Sequence, residues 1–109
     1  LHFQFKTPKI TLKEQWDQSN LTPFLGKRFA ELSSGLKNKV KLALAIFTEA
    51  PALLLDEPCT NFDETNTKWY QDTIQTYCTD QLIIVASNQE SEYTFCTEHL
   101  NLNQYKPTP

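Results

Sequence analysis

Residues 52–63 read ALLLDEPCTNFD. A short apolar run ends in two adjacent carboxylates, Asp56 and Glu57, and prolines stand on either side at positions 51 and 58. An apolar stretch of this length between breakers predicts a strand of a parallel sheet, covered on both faces. Open α/β sheets collect ligands at the carboxyl ends of their strands, which is where this pair stands. Successive strand residues point to opposite sides, so the two carboxylates suit separate tasks rather than a shared proton. One is fit to hold a magnesium ion and the other to orient or deprotonate a water. Taken alone, the dipeptide fits equally well a cap on the next helix or a solvated turn.

Outward from this stretch, LIIVA (82–86) predicts a second buried strand, with Ser87 and Asn88 at its end. Between the two, Asp63 is placed to cap a helix whose inner face is Trp69, Tyr70, Ile74, Tyr77 and Cys78. Two parallel strands joined through a helix make a βαβ unit, expected to be right-handed. Upstream, Leu36, Val40, Ala43, Leu44 and Phe47 recur at helical spacing, with Lys37, Asn38 and Lys41 on the other side and Ser33 or Ser34 as N-cap. Thr11 and Glu14 form a capping-box pattern for a short helix ending near Ser19. Residues 21–28 hold a proline and a glycine and predict a turn-rich connection. LHFQFK (1–6) fits an edge strand or a helix end. A short helix over 90–96 and a final strand over HLNLNQY (99–105), with one wet face, complete the reading.

The chain has 109 residues, which bounds it to one small domain. A net charge of -3 leaves no long basic stripe to neutralise phosphates, so no nucleic-acid partner is expected. No apolar run is long enough to span a bilayer, and nothing resembles a signal peptide. Cys59, Cys78 and Cys96 lack metal-ligand spacing and leave one thiol over in any pairing, which fits a reducing cytoplasm. The two glycines, Gly26 and Gly35, exclude a GxxxxGK[ST] phosphate loop. A chain that starts at Leu1 and contains no methionine is expected to be a fragment of a longer protein.

Residues 31–41 read ELSSGLKNKVK. Lysines are poorly placed near a helix N-terminus, which already carries partial positive charge. Beside the small residues Ser33, Ser34 and Gly35, whose backbone N–H groups are approachable, they make sense as support for a phosphate. An ordinary serine cap on a solvated helix is the simpler alternative for this stretch by itself.

Three stretches in order weigh against that alternative. LSSGL (32–36), ALLLDE (52–57) and TNFD (60–63) resemble the signature motif, Walker B strand and D-loop of the ATP-binding-cassette (ABC) ATPase domain. The resemblance implies an α/β chain: part of the P-loop NTPase fold, with parallel strands and flanking helices. Residues 1–30 would be a remnant of the helical subdomain, 31–105 the C-terminal part of the ATPase core, and 106–109 a disordered tail. It implies ATP and Mg²⁺ as cofactors. Ser33, Ser34, Gly35 and Leu36 would meet the γ-phosphate of ATP held by an opposing subunit, and Asp56 would help place the metal. Glu57 would be the general base, Asp63 would lie in the subunit interface, and Asn88 would occupy the switch position. The partners implied are a second ATPase subunit, in a head-to-tail dimer, and a membrane transport subunit. The implied location is the cytoplasm, at the inner face of a membrane.

Several positions depart from the family pattern. Ser34 stands where glycine is usual, Leu36 where glutamine is usual, and Asn88 where histidine is usual. Asparagine cannot take a proton but still hydrogen-bonds a phosphate or a water. His2 and His99 are poorly placed to substitute for it. Without a GxxxxGK[ST] loop there is little to hold the β- and γ-phosphates, so the chain is expected to be inactive alone, as part of an ATPase that drives transport. The alternatives are a non-catalytic interaction module or an ABC-family ATPase with no transport role. Loss of neighbouring strands further predicts exposed sheet edges and self-association.

Overall fold

The computed structural model describes residues 8–102. The first helix, α1 (Leu12–Gln18), starts at Thr11 with the predicted capping box: the Glu14 N–H donates to the Thr11 hydroxyl, and the Glu14 carboxylate accepts from the Thr11 N–H. The turn-rich segment contains a 3₁₀ turn at Thr22–Phe24, and a second follows at Phe29–Glu31. Helix α2 (Ser34–Ile46) is capped by Ser33, whose hydroxyl accepts from the Leu36 N–H at 3.1 Å. Strand β1 (Ala52–Asp56) leads into helix α3 (Glu64–Tyr77), capped as expected by Asp63 on the Asn66 N–H. Strand β2 (Leu82–Ala86) then pairs with β1 in parallel, from Ala52 opposite Leu82 to Asp56 opposite Ala86. The chain is thus an α/β unit of two parallel strands joined through α3, with α2 packed on them and α1 packed against α2.

Two apolar clusters hold these elements. The larger joins Leu42, Ala43 and Ile46 of α2, and Phe47 just past its end, to Leu53 and Leu55 of β1 and to Trp69, Tyr70 and Ile74 of α3. The Phe47 and Tyr77 rings meet edge to face at 4.9 Å. The smaller cluster gathers Leu21, Leu32 and Val40, with Trp16, Phe29, Leu36 and Leu44 packed around them. Helix α2 therefore buries two faces rather than one. Positions 36, 40 and 44, one turn apart, serve the smaller cluster, while 42, 43, 46 and 47 serve the larger.

Four expectations need correction. Both strands were expected to be covered on both faces, yet only one face is. On β1, Leu53 and Leu55 are buried while Leu54 is 72% exposed; on β2, Leu82 and Ile84 are 62% and 52% exposed. The cause is that α2 and α3 pack on one side of the two strands and no described layer covers the other. The helix expected over 90–96 is only a 3₁₀ turn at Glu90–Glu92, where the Glu92 side chain turns inward instead of continuing a solvated helix face. The strand expected over 99–105 is not formed at 99–102, where Leu100 and Leu102 are exposed, and its remainder lies outside the described residues. The lysines of α2 do not all stand beside the small residues as support for a phosphate: Lys39 is 4% exposed, its ammonium 4.9 Å from the Trp69 ring and 2.9 Å from Asn66 Oδ1. The LHFQFK reading, His2 and the tail at 106–109 also lie outside the described residues.

Candidate nucleotide site

Asp56 closes β1 on the face it shares with Leu54, the face left open, and its side chain is exposed. Glu57 follows in a left-handed backbone conformation, φ 45°. That region is costly for a residue with a Cβ, by about 1–2 kcal/mol. The conformation is imposed from both sides. The Glu57 N–H donates to the Ala86 carbonyl at 2.8 Å, extending the parallel ladder by one bond. Its carbonyl accepts from the Thr60 N–H at 3.2 Å and the Thr60 hydroxyl at 2.8 Å, which folds the chain back at once. Strain of this kind concentrates where a side chain must be aimed for function. Among the described residues, neither the Asp56 nor the Glu57 carboxylate has a hydrogen-bond or ion-pair partner.

The N-terminal part of α2 is fastened to the turn that follows Glu57. Asn38 donates from Nδ2 to the carbonyls of Pro58, at 2.8 Å, and Thr60, at 3.0 Å. Gly35 lies so close to Asn61 that a Cβ on it would stand 2.8 Å from the Asn61 carbonyl oxygen. Asn61 itself has φ 65°, so the loop that meets Gly35 also carries a left-handed residue. A side chain at position 35 would push this loop away, which gives Gly35 a steric reason independent of any ligand.

Each residue singled out from the sequence can now be placed. Ser33 and Ser34 are exposed at the start of α2, and the Ser33 hydroxyl oxygen is engaged as the cap while its proton stays free to donate. Leu36 packs its side chain into the smaller cluster, and its N–H is taken by Ser33. Asp63 caps α3 through its carboxylate and faces Lys39 electrostatically. Asn88 is exposed just past β2, one residue after Ser87. Lys37 and Lys41 both lie over the Phe29 ring at 5.9 Å, and Lys39 points inward, so the lysine crowd is divided between two aromatic rings rather than aimed together at one anion. Burial lowers the Lys39 pKa, and the nearby Asp63 partly restores it.

Two residues that the sequence reading did not single out organise this region. Asn38 is one, its role hidden because a polar residue at the start of a helix reads as solvated. Glu92 is the other, a carboxylate 1% exposed that accepts from the Cys59 N–H at 2.7 Å and from the Ser87 hydroxyl. No signal in the alternation or spacing marked it. Burial pushes the Cys59 thiol up to about 11, and the Glu92 charge adds to the rise. Tyr70 is raised chiefly by its burial, and its hydroxyl donates to the Glu92 carbonyl at 2.6 Å.

The arrangement suits part of a phosphate-transfer site. Mg²⁺ is commonly held by one or two carboxylates together with substrate phosphates and water, and Asp56 and Glu57 supply carboxylates free for that use. Among the described residues no three acidic, histidine or cysteine side chains converge on a metal by themselves. The grooves that flank α3 are lined by residues such as Phe62, Asp63, Lys68 and Ser91, and neither reaches Asp56 or Glu57. With no GxxxxGK[ST] loop, these residues fit the terminal phosphate and the metal, not a whole nucleotide.

Known proteins of one family resemble this chain. The family described as ABC transporter matches residues 8–60. An elongation factor 3 from Mycosarcoma maydis is 43% identical over 77 residues, covering 71% of this chain and 7% of that protein. An ABC transporter F family member 2 from Dictyostelium discoideum is 34% identical over 80 residues, covering 73% of this chain and 13% of that protein. A probable ABC transporter ATP-binding/permease protein from Haemophilus influenzae is 31% identical over 71 residues, covering 65% and 13%. The chain therefore spans only a small part of the length of these relatives.

Proposed function

Because the chain belongs to the ABC family of ATPases, through residues 8–60 and its relatives, we propose that it supplies the signature, metal-carboxylate and base elements of a site that binds and hydrolyses ATP. The observation that carries this reading is Glu57 itself: an exposed, unpartnered carboxylate, held left-handed at the carboxyl end of a parallel strand and directly after Asp56. Mg²⁺, when bound, would neutralise charge on the phosphates. Asp56 would orient it, and Glu57 would polarise the attacking water. The Ser33 hydroxyl and the backbone around Gly35 would close on the terminal phosphate of a nucleotide held by another subunit, with Asp63 near that interface. Asn88 would hydrogen-bond the phosphate or the water without exchanging a proton.

In this reading residues 31–105 act as the C-terminal part of the ATPase core and 1–30 as a remnant of the helical subdomain. The chain would not turn over ATP by itself, since its sequence holds no GxxxxGK[ST] loop to cradle the β- and γ-phosphates. In a protein that joins it to a phosphate-binding loop, hydrolysis would drive transport through a membrane subunit from the cytoplasmic side. The relatives named elongation factor 3 favour a second reading, an ATPase of this family with no transported cargo. The test uses an ATPase that carries this segment together with a GxxxxGK[ST] loop. Asp56→Asn is expected to raise the Mg²⁺ concentration needed for half-maximal hydrolysis by about tenfold or more. An unchanged Mg²⁺ dependence would take Asp56 out of the metal site.

A further inference from the structure

We propose that Glu92 is a positioning residue that ties the turn carrying Glu57 to the segment carrying Asn88. This rests on the ATPase reading given above. The geometry is that of a two-ended clamp. One carboxylate oxygen takes the N–H of Cys59, two residues past Glu57, and the other takes the hydroxyl of Ser87, the residue before Asn88. The Ser87 oxygen also accepts from the Gln89 N–H at 2.9 Å, which closes a turn around Asn88.

The clamp is itself anchored from α3. The Tyr70 hydroxyl donates to the Glu92 carbonyl at 2.6 Å, and Gln71 Nε2 donates to the Ser91 carbonyl at 2.8 Å. Helix α3 thus fixes the carboxylate, and the carboxylate fixes the ends of both strands. Among the described residues, these segments are otherwise joined by the end of the ladder, where the Glu57 N–H donates to the Ala86 carbonyl. An apolar side chain would fill the same space at lower desolvation cost. It would leave the Cys59 N–H without a partner and release Ser87 from position 92, so that its hydroxyl bonds only within its own turn, to the Gln89 carbonyl at 3.0 Å. A carboxylate so fully buried therefore sets geometry more than it adds stability.

The experiment compares Glu92→Leu with Glu92→Gln, measuring ATP hydrolysis in the ATPase that contains this segment and amide exchange in the 109-residue chain. Glu92→Leu should lower kcat by about tenfold or more with KM for ATP within about threefold, the pattern of a lost transition-state arrangement. It should also speed exchange at the Cys59 and Gln89 amides together. Glu92→Gln should restore most of kcat and of the protection, because its amide oxygen serves Cys59 and its NH₂ donates to the Ser87 oxygen. If Glu92→Leu fails to melt cooperatively, Ser87→Ala, which removes one end of the clamp, should give the same pattern at smaller size. Unchanged kcat with fast exchange at Cys59 would overturn the proposal, and so would exchange that rises at one amide and not the other. A wild-type protein without ATP turnover would instead overturn the ATPase reading, while the exchange data still decide whether Glu92 joins the two segments.

Discussion

At the scale of single residues, Gly35 and Glu57 are opposite cases. Alanine normally improves a helix over glycine by about 0.5–1 kcal/mol. At position 35 the new Cβ would meet the Asn61 carbonyl at 2.8 Å, and overpacking of this kind costs about 1–3 kcal/mol. Gly35→Ala should therefore lower stability in a denaturant melt, and a gain would show that the loop yields freely. At position 57 the strain is present already. Glu57→Gly should be more stable than Glu57→Ala by about 1 kcal/mol, since glycine alone adopts φ 45° without penalty. Equal stability of the two would mean that the turn relaxes.

Cys59 adds a pH signature. Its folded pKa, pushed up to about 11 by burial and by Glu92, lies above the ordinary thiol value. The unfolded chain thus loses that proton first. The associated stability is fully present below about pH 8.5 and disappears as pH rises toward 11. Thermal melts between pH 8 and 11 should fall more steeply for the wild type than for Cys59→Ala; parallel slopes would contradict the assignment. The sequence showed that residue 35 must be small, but not what approaches it. The approach is by backbone from a loop twenty-six positions away, which no local pattern encodes. Lys39 was misleading for a similar reason: its stem and ammonium are covered by Trp69 and Asn66, residues supplied by another helix.

At the scale of elements, the caps and periodicities were legible because their causes are local. Thr11 with Glu14, Ser33 and Asp63 each start a helix as their neighbours dictate. The division of α2 between two clusters was not legible. A run that is apolar on two sides looks like one broad face until its neighbours are in place. Helix α2 also carries Asn38, the fastening to the turn after Glu57. Asn38→Ala should leave α2 intact and loosen residues 58–62, seen as faster amide exchange at Phe62 with little change at Val40. Equal loss at both would mean that Asn38 supports the helix rather than the turn. The order of signature helix, carboxylate strand and capped helix was fully readable, and it is what points to the family.

At the scale of the whole molecule, the sheet is the incomplete part. Leu54, Leu82 and Ile84 present one contiguous apolar surface across two paired strands, and a patch of that kind favours association. A two-stranded sheet also leaves unpaired edges. The 109-residue chain should self-associate with rising concentration in sedimentation velocity, and Leu54→Thr with Ile84→Thr should shift it toward monomer. A concentration-independent monomer in the unmutated chain would contradict this. The expectation of fully covered strands failed because hydrophobicity in a sequence records what a strand is built to touch, not whether that layer is present. The proposed site shares this property: Asp56, Glu57, Ser33 to Leu36 and Asn88 would need a phosphate-cradling loop that this sequence does not contain. The most direct measurement is single-turnover hydrolysis by the Glu57→Gln variant of an ATPase containing this segment. Hydrolysis should fall by about a hundredfold or more, as expected for loss of a general base, with ATP affinity held within about threefold. Turnover within about threefold of the wild type would show that Glu57 is not the base and would contradict the account.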